Sequence, residues 1–474
     1  MSGPRVVCPA GEISGALVGG VARYLGIPYA KPPVGERRFA LPEPADPFEG
    51  VFEATAFGPT PPPSMELPEP YTYPVIEGDD WLTLNVWAPA DAQPGDALPV
   101  YVWIYGGSFA MGNTAQSLFD GTAFARDGAV YVSANYRVGL EGFTHLPDAP
   151  DNRGLHDQLQ ALRWVQANIA AFGGDPGRVT IGGESAGSMS VSALATTEFA
   201  GKLFHQVICE SGIGVAADVP TAAKLADPLK AALGLHLTAK ALREKDPRES
   251  AAAVAKLLHK LSPHNVLTLF PPVIDGDLLP ENPVSRLAKG PVLVRMIIGN
   301  NHKESDFWRV FGEFVPGDNP LKAFDVLLRP FGDTAPIVGA YRKVYGDSLT
   351  PGEIVLELLS DGAFGGPSYA AQRGQGENCF AYYFTWPSTV HTKSAMHTLD
   401  LGFAFDNVAD PGFVMYAGED APQALADDIH GRWMEFIKTG SPGPDWRPFA
   451  AEADLKVFGP PAERNRDALG AWVY

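Results

Sequence analysis

RVTIGGESAGSMSVSALA, residues 178–195, sets a serine between two glycines where one pattern gives way to another. RVTIGG is a short apolar run of strand character, and GESAGSMSVSALA reads as a helix. A strand that turns at once into a helix, with G-x-S-x-G at the turn, is the context of a nucleophile elbow. Glycines at 183 and 187 let the sharp turn close without Cβ clashes. The Ser185 hydroxyl is then pushed out at a strand's C-terminal edge and a helix N-terminus. The five-residue pattern alone is weak, because glycine is 51 of 474 residues. The competing reading is a glycine-rich turn whose Ser185 merely caps the helix; the strand–turn–helix context weighs against it.

Further apolar runs flank this turn: PVYVWIY (99–105), AVYVSANY (129–136), QVIC (206–209), PVLVRMIIG (291–299) and CFAYYFTW (379–386). Continuous apolar strands rich in Val, Ile and aromatics indicate a sheet covered on both faces, hence mostly parallel. LHDQLQALRWVQANIAAF (155–172) places Leu155, Leu159, Leu162, Val165, Ile169 and Phe172 at spacings of three or four. That predicts a helix, stopped by Gly173-Gly174-Asp175-Pro176. Alternating strand and helix make the class α/β. Segments 221–260 and 320–375 read as helix-rich insertions over one end of the sheet, within a single domain spanning 1–474. The proline cluster PTPPPSMELPEPYTYP (59–74) reads as a rigid surface loop.

Hydrophobic content of 45% suffices for a sizeable core, and large α/β enzymes reach this length around one sheet. A net charge of −19 argues against nucleic acid or an anionic membrane as partner. No apolar run approaches a membrane span, and MSGPRVVCPAGEISG carries no apolar signal core. Cys8, Cys209 and Cys379 are odd in number and far apart, with no disulfide framework or zinc spacing. A cytoplasmic location is the expectation.

A serine nucleophile needs a base, an orienting acid and an oxyanion hole. With an elbow of this kind the chain order is serine, acid, histidine. After residue 305 the histidines are His391, His397 and His430. His430 lies in an amphipathic helical pattern and reads as solvated or structural. His391 and His397 both lie in the region after the strand CFAYYFTW, and composition leaves both open. If its surroundings are neutral, His397 would titrate near the ordinary imidazole value of roughly 6.5. WIYGGSFAMG (103–112) follows a strand, and its small residues allow the backbone to approach a substrate oxygen; a plain strand-ending turn fits equally.

The blocks YLGIPYAKPPVGERRFALPEP, GDDWLTLNVWAP, DNRGLHDQLQALRWVQANIAAFGGDPGRVTIGGESAGSMS, FPPVIDGDLLP, IIGNNHKESDF, HTLDLGFAF and WMEFIKTGSP occur in that order. Together they resemble the type-B carboxylesterases, the α/β-hydrolases that include para-nitrobenzyl esterases and cholinesterases. The resemblance runs from about residue 11 to about residue 449. It implies an α/β-hydrolase fold with a mostly parallel sheet flanked by helices. It implies Ser185 as nucleophile, Glu304 as acid and His397, over His391, as base. It also implies the backbone N–H groups of Gly107, Ser108 and Ala186 as the oxyanion hole. Ser211 matches a family serine near the acid, and a plain buried serine fits it as well.

Three positions depart from the family pattern. Ser108 stands where a third glycine is usual, which narrows the acyl side. Lys303-Glu304-Ser305 stands in place of Asp-Glu-Gly, with Asp306 as the nearest substitute acid. Trp81 replaces a signature cysteine whose partner in the proline cluster is also missing, so the family's early disulfide cannot form. The implied function is hydrolysis of neutral carboxylic esters of short to medium acyl chain through an acyl-enzyme, with no metal or organic cofactor. The alternatives are the same triad acting on amide, carbamate or lactone bonds, and a non-catalytic adhesion or scaffold role. The expected partner is a small ester, the protein being a monomer or small homo-oligomer. Phe109, Phe307 and Trp308, with Tyr71 and Tyr73, are candidates for the pocket wall.

Overall fold

Runs of apolar residues too short for helices pair into one ten-stranded sheet in the computed structural model, which describes residues 3–260, 269–311, 335–450, 454–462 and 464–472. In chain order the strands are β1 (Ala16–Val18), β2 (Val21–Pro28), β3 (Thr83–Pro89), β4 (Leu98–Ile104) and β5 (Val130–Ala134). They continue with β6 (Gly174–Glu184), β7 (Gln206–Glu210), β8 (Arg295–Asn301), β9 (Cys379–Phe384) and β10 (Lys456–Phe458). Across the sheet the order is β10-β9-β8-β7-β6-β4-β5-β3-β2-β1. From β10 to β5 every pairing is parallel, and β3, β2 and β1 add on antiparallel. The sheet is thus mostly parallel, and every residue of β5 and β9 is buried. Covering both faces requires this, and it is why these strands show no apolar–polar alternation.

Helix α1 (Arg153–Asn168) leads into β6 and buries Leu155, Leu159, Leu162 and Val165. The expected helix over 155–172 starts two residues earlier and ends sooner. Its last turn tightens into a 3-10 turn at Ile169–Phe172, closed by Gly173 at φ +86°. Such a left-handed close is open to glycine without a Cβ penalty. Helix α2 (Ala186–Ala195) leaves β6 directly. One hydrophobic core extends in sequence from Ile13 to Phe458.

The segment expected as a first insertion forms the helices Val219–Leu225, Asp227–Leu233, Ala239–Arg243 and Pro247–Lys260. Arg38 ties it down: its buried guanidinium pairs with Glu141 and donates to the Leu242 carbonyl at 2.6 Å. Of the second expected insertion, residues 320–334 lie outside the described residues. Its remainder holds the helix Ala335–Tyr345, α3 (Pro351–Ser360), a single π-helical turn at Asp361–Gly365 and α4 (Gly366–Gln375). Helix α5 (Gln423–Thr439) carries His430, which is buried between the Ala404 carbonyl and Asp127.

The proline cluster departs from its reading as a surface loop. Thr60, Ser64, Met65 and Leu67 are buried. Ser64 N–H donates to Ala110 O, and Leu140 N–H donates to Ser64 Oγ. Proline has no N–H to leave unpaired, so a proline-rich segment can be buried at lower polar cost. Cys8, Cys209 and Cys379 are free thiols, and among the described residues no helix is long and apolar enough to cross a membrane.

Candidate active site

The turn between β6 and α2 is as sharp as its glycines suggest. Ser185 sits at φ 56°, ψ −124°, a conformation a side chain rarely adopts. Its N–H donates to Glu210 O at 3.0 Å, and its carbonyl accepts from Met189 N–H at 2.8 Å. A Cβ on Gly183 would lie 2.5 Å from the Gly187 carbonyl carbon. One on Gly187 would lie 2.0 Å from the Ile104 carbonyl oxygen. The two motif glycines are therefore what lets α2 pack down against β6 and β4.

The loop after β4 comes up against the same turn. A Cβ on Gly106 would fall 2.7 Å from Glu184 O and 3.0 Å from Ser185 Cβ. Gly107 takes φ +117°, where a Cβ would sit 2.4 Å from Met111 O. Ser108 and Phe109 follow at φ 55° and 56°, and Ala110 and Met111 N–H close the turn on Gly107 O. Among the described residues no acceptor takes the N–H of Gly107, Ser108 or Ala186. Gly107 and Ser108 line the cavity onto which Ser185 opens, and Ala186 is the first residue of α2. An anionic oxygen placed there would meet free donors at a helix N-terminus.

His397 lies in the loop after β9, buried beside this turn. Its Nδ1 meets Glu304 Oε2 at 2.6 Å, and its backbone N–H donates to Glu304 O. Glu304 is held in turn by Asn301 N–H on Oε1 at 2.6 Å. Asp306, the substitute acid, instead pairs with Arg309 at 3.1 Å. His391 lies outside this arrangement, with Nε2 near Tyr71 Oη and Met415 O.

The second ring nitrogen of His397 meets another carboxylate. Nε2 faces Glu184 Oε1 across 3.1 Å, an ion-pair contact outside hydrogen-bond alignment. Among the described residues no hydrogen bond joins Nε2 to Ser185 Oγ. The surroundings of His397 are accordingly far from neutral. Burial by itself pushes the imidazole down, but Glu184, Glu304 and the Glu304 hydrogen bond overcome it and raise it to about 9. Burial, with Asp400 and Glu304 nearby, pushes Glu184 up to about 8. Each charge favours the other: Glu184 raises the imidazole, and the imidazolium partly offsets the rise of Glu184. The signal for Glu184 was present in the sequence: a carboxylate closing an apolar strand next to the elbow serine.

A cavity of about 240 Å³ opens over Ser185 and His397. Phe307 and Trp308 line it, as do Tyr71 and Tyr73. Phe109 does not: its left-handed backbone sends the ring onto Phe143, 4.6 Å between centroids. Met65, Leu67, Phe119, Leu401, Phe413 and Tyr416 supply most of the remaining apolar wall, and none of them was singled out from sequence. They come from separate segments that only the fold brings together. Among the described residues no cluster of His, Cys, Asp and Glu has the makings of a metal site.

The model of the carboxylesterase family matches residues 2–459. A para-nitrobenzyl esterase of Bacillus subtilis is 35% identical over 446 residues, covering 91% of this chain and 89% of that protein. A phenmedipham hydrolase of Pseudarthrobacter oxydans is 32% identical, covering 97% and 96%. Among solved structures, a thermophilic para-nitrobenzyl esterase superposes with a TM-score of 0.81 at 32% identity, over 93% of this chain and 92% of that one.

Proposed function

Because this chain belongs to the carboxylesterase family and is a carboxylic ester hydrolase, we propose that Ser185, His397 and Glu304 perform that hydrolysis. His397 takes the Ser185 proton as Oγ attacks the ester carbonyl. Glu304 orients the ring through Nδ1 and stabilises the imidazolium. The N–H groups of Gly107, Ser108 and Ala186 receive the oxyanion. His397 then protonates the departing alcohol, and water hydrolyses the acyl-enzyme by the same route. The observation that carries this reading is the 2.6 Å contact between buried Glu304 Oε2 and Nδ1 of His397, which lines the same cavity as the strained Ser185.

The substrate class follows from the cavity. Its volume is below the roughly 300–1,000 Å³ typical of drug-sized ligand sites, and its wall is largely apolar and aromatic. That favours neutral esters of short to medium acyl chain, with aryl or benzyl alcohols accommodated among Phe307, Trp308, Tyr71 and Tyr416. The test is kcat/KM on para-nitrophenyl esters from acetyl to palmitoyl, with an anionic dicarboxylic half-ester and the matching anilide beside them. Butyryl or hexanoyl should exceed palmitoyl by ~100-fold or more. A preference for palmitoyl emulsions, for the half-ester or for the anilide would overturn the assignment.

The charge around His397 sets the pH dependence. The imidazole must be neutral to accept the Ser185 proton, and its raised affinity for protons delays that to higher pH. The acid limb of kcat/KM should therefore lie above the ordinary imidazole value. Glu184→Gln removes a carboxylate that favours the imidazolium, so the limb should move at least ~1 pH unit lower. An unmoved limb would mean that Glu184 is electrostatically silent.

A further inference from the structure

Helices α3 and α4 form one rod interrupted by the π-helical turn Asp361–Gly365. Single π-turns inside α-helices are frequent at functional sites. The turn reads DGAFG and is followed by Gly366 and Pro367. A Cβ on Gly362 would lie 2.5 Å from the Trp472 ring, and one on Gly365 would lie 2.6 Å from Asp361 Oδ1. Tyr341 Oη donates to Asp361 and accepts from Trp472 Nε1 at 3.0 Å, which pins the turn from outside. Its one large side chain, Phe364, is 1% exposed and points at the active site.

The Phe364 ring lies 4.3 Å from the His397 ring, tilted by 37°. Phe307 meets the same imidazole edge-on at 5.8 Å. The two phenylalanines differ in what else they touch. Phe307 lines the cavity over Ser185, whereas Phe364 does not. Asp361 and Gly365, on the Phe364 turn, line a second, polar cavity of about 460 Å³ together with Asn300, His302, Lys303 and Arg464.

We propose that Phe364 is a positioning residue for the general base: its ring holds the His397 imidazole in place and partitions it from the polar cavity behind. This rests on the reading of His397 as the base. Glu184 faces the imidazole from β6, Glu304 from the turn after β8, and Asp400 from its own loop. Asp361 and Lys303 border the polar cavity behind the ring. Without the ring, water from that cavity would reach the imidazole and screen the carboxylates. The imidazole would then gain freedom to turn away from Ser185, and its titration would relax toward the ordinary range.

The experiment compares Phe364→Ala and Phe364→Leu with wild type and His397→Ala on one para-nitrophenyl ester. Stoichiometric labelling with a para-nitrophenyl phosphonate, run to completion, counts the folded, reactive sites. Per such site, Phe364→Ala should lose ~10- to 100-fold in kcat with KM within ~3-fold, because the ring does not touch substrate. Its acid limb should move to lower pH, and Phe364→Leu, which refills most of the volume, should regain most of the rate. An alanine variant with wild-type kcat and acid limb would overturn the proposal. So would a loss confined to KM, or one confined to the number of titratable sites. Activity retained by His397→Ala would instead remove the base assignment itself, and this proposal with it.

Discussion

Ser185→Ala is expected to lower kcat by about a millionfold while the protein stays folded. The magnitude reflects a unit whose members fail together: without Oγ, neither the imidazole nor the oxyanion donors have an acyl transfer to assist. Folding should survive because the strained φ at 185 is imposed by the turn's packing and backbone bonds to Glu210 and Met189, none of which involves the hydroxyl. Losing the hydroxyl also leaves no new buried polar group unpaired. The measurement is single-turnover hydrolysis of a para-nitrophenyl ester, with thermal melting as the folding control. Even a tenth of wild-type activity would rule out Ser185 as nucleophile.

Glu304→Gln should cost about 10⁴-fold in kcat, close to the loss seen when a triad carboxylate becomes an amide. Glu304 only accepts from Nδ1, so it holds the imidazole as the tautomer whose Nε2 is free to take a proton. An amide can donate to Nδ1 instead, leaving the hydrogen on Nε2, where it cannot serve as base. The carboxylate also stabilises the imidazolium, and that contribution goes with it. Asp306→Asn should cost less than about tenfold, since Asp306 engages Arg309 on the surface side. Equal losses in the two variants would place the acid at Asp306. A wild-type rate in Glu304→Gln would leave His397 without an orienting partner to explain its activity.

Much of this architecture is legible along the chain. Sheet strands buried on both faces are apolar at nearly every position, so β4 and β9, and β5 but for Ser133, announce themselves as apolar runs. The elbow is legible for a similar reason. Packing α2 onto β4 leaves no room for a Cβ at 183 or 187, so the geometry is written as glycine around Ser185. These are local constraints, and local constraints leave local patterns.

Contacts across long separations leave none. Glu304 and His397 meet over a separation of 93 residues, and composition alone could not tell His397 from His391. Chain proximity misled for Phe109: it neighbours the glycine loop beside Ser185, but its ring packs onto Phe143. It was silent for Phe364, which lies 33 residues before His397 and reaches it only because a π-turn aims it there. The proline cluster likewise reads as surface until its segment is seen folded over the cavity, with Met65 and Leu67 inside. Burial forces residue types onto each strand and turn, and so the frame and the turn that presents Ser185 can be read in one dimension. The charge around His397, the walls of the cavity and the ring behind the imidazole depend on which distant segments pack together, and that only the closed tertiary structure decided.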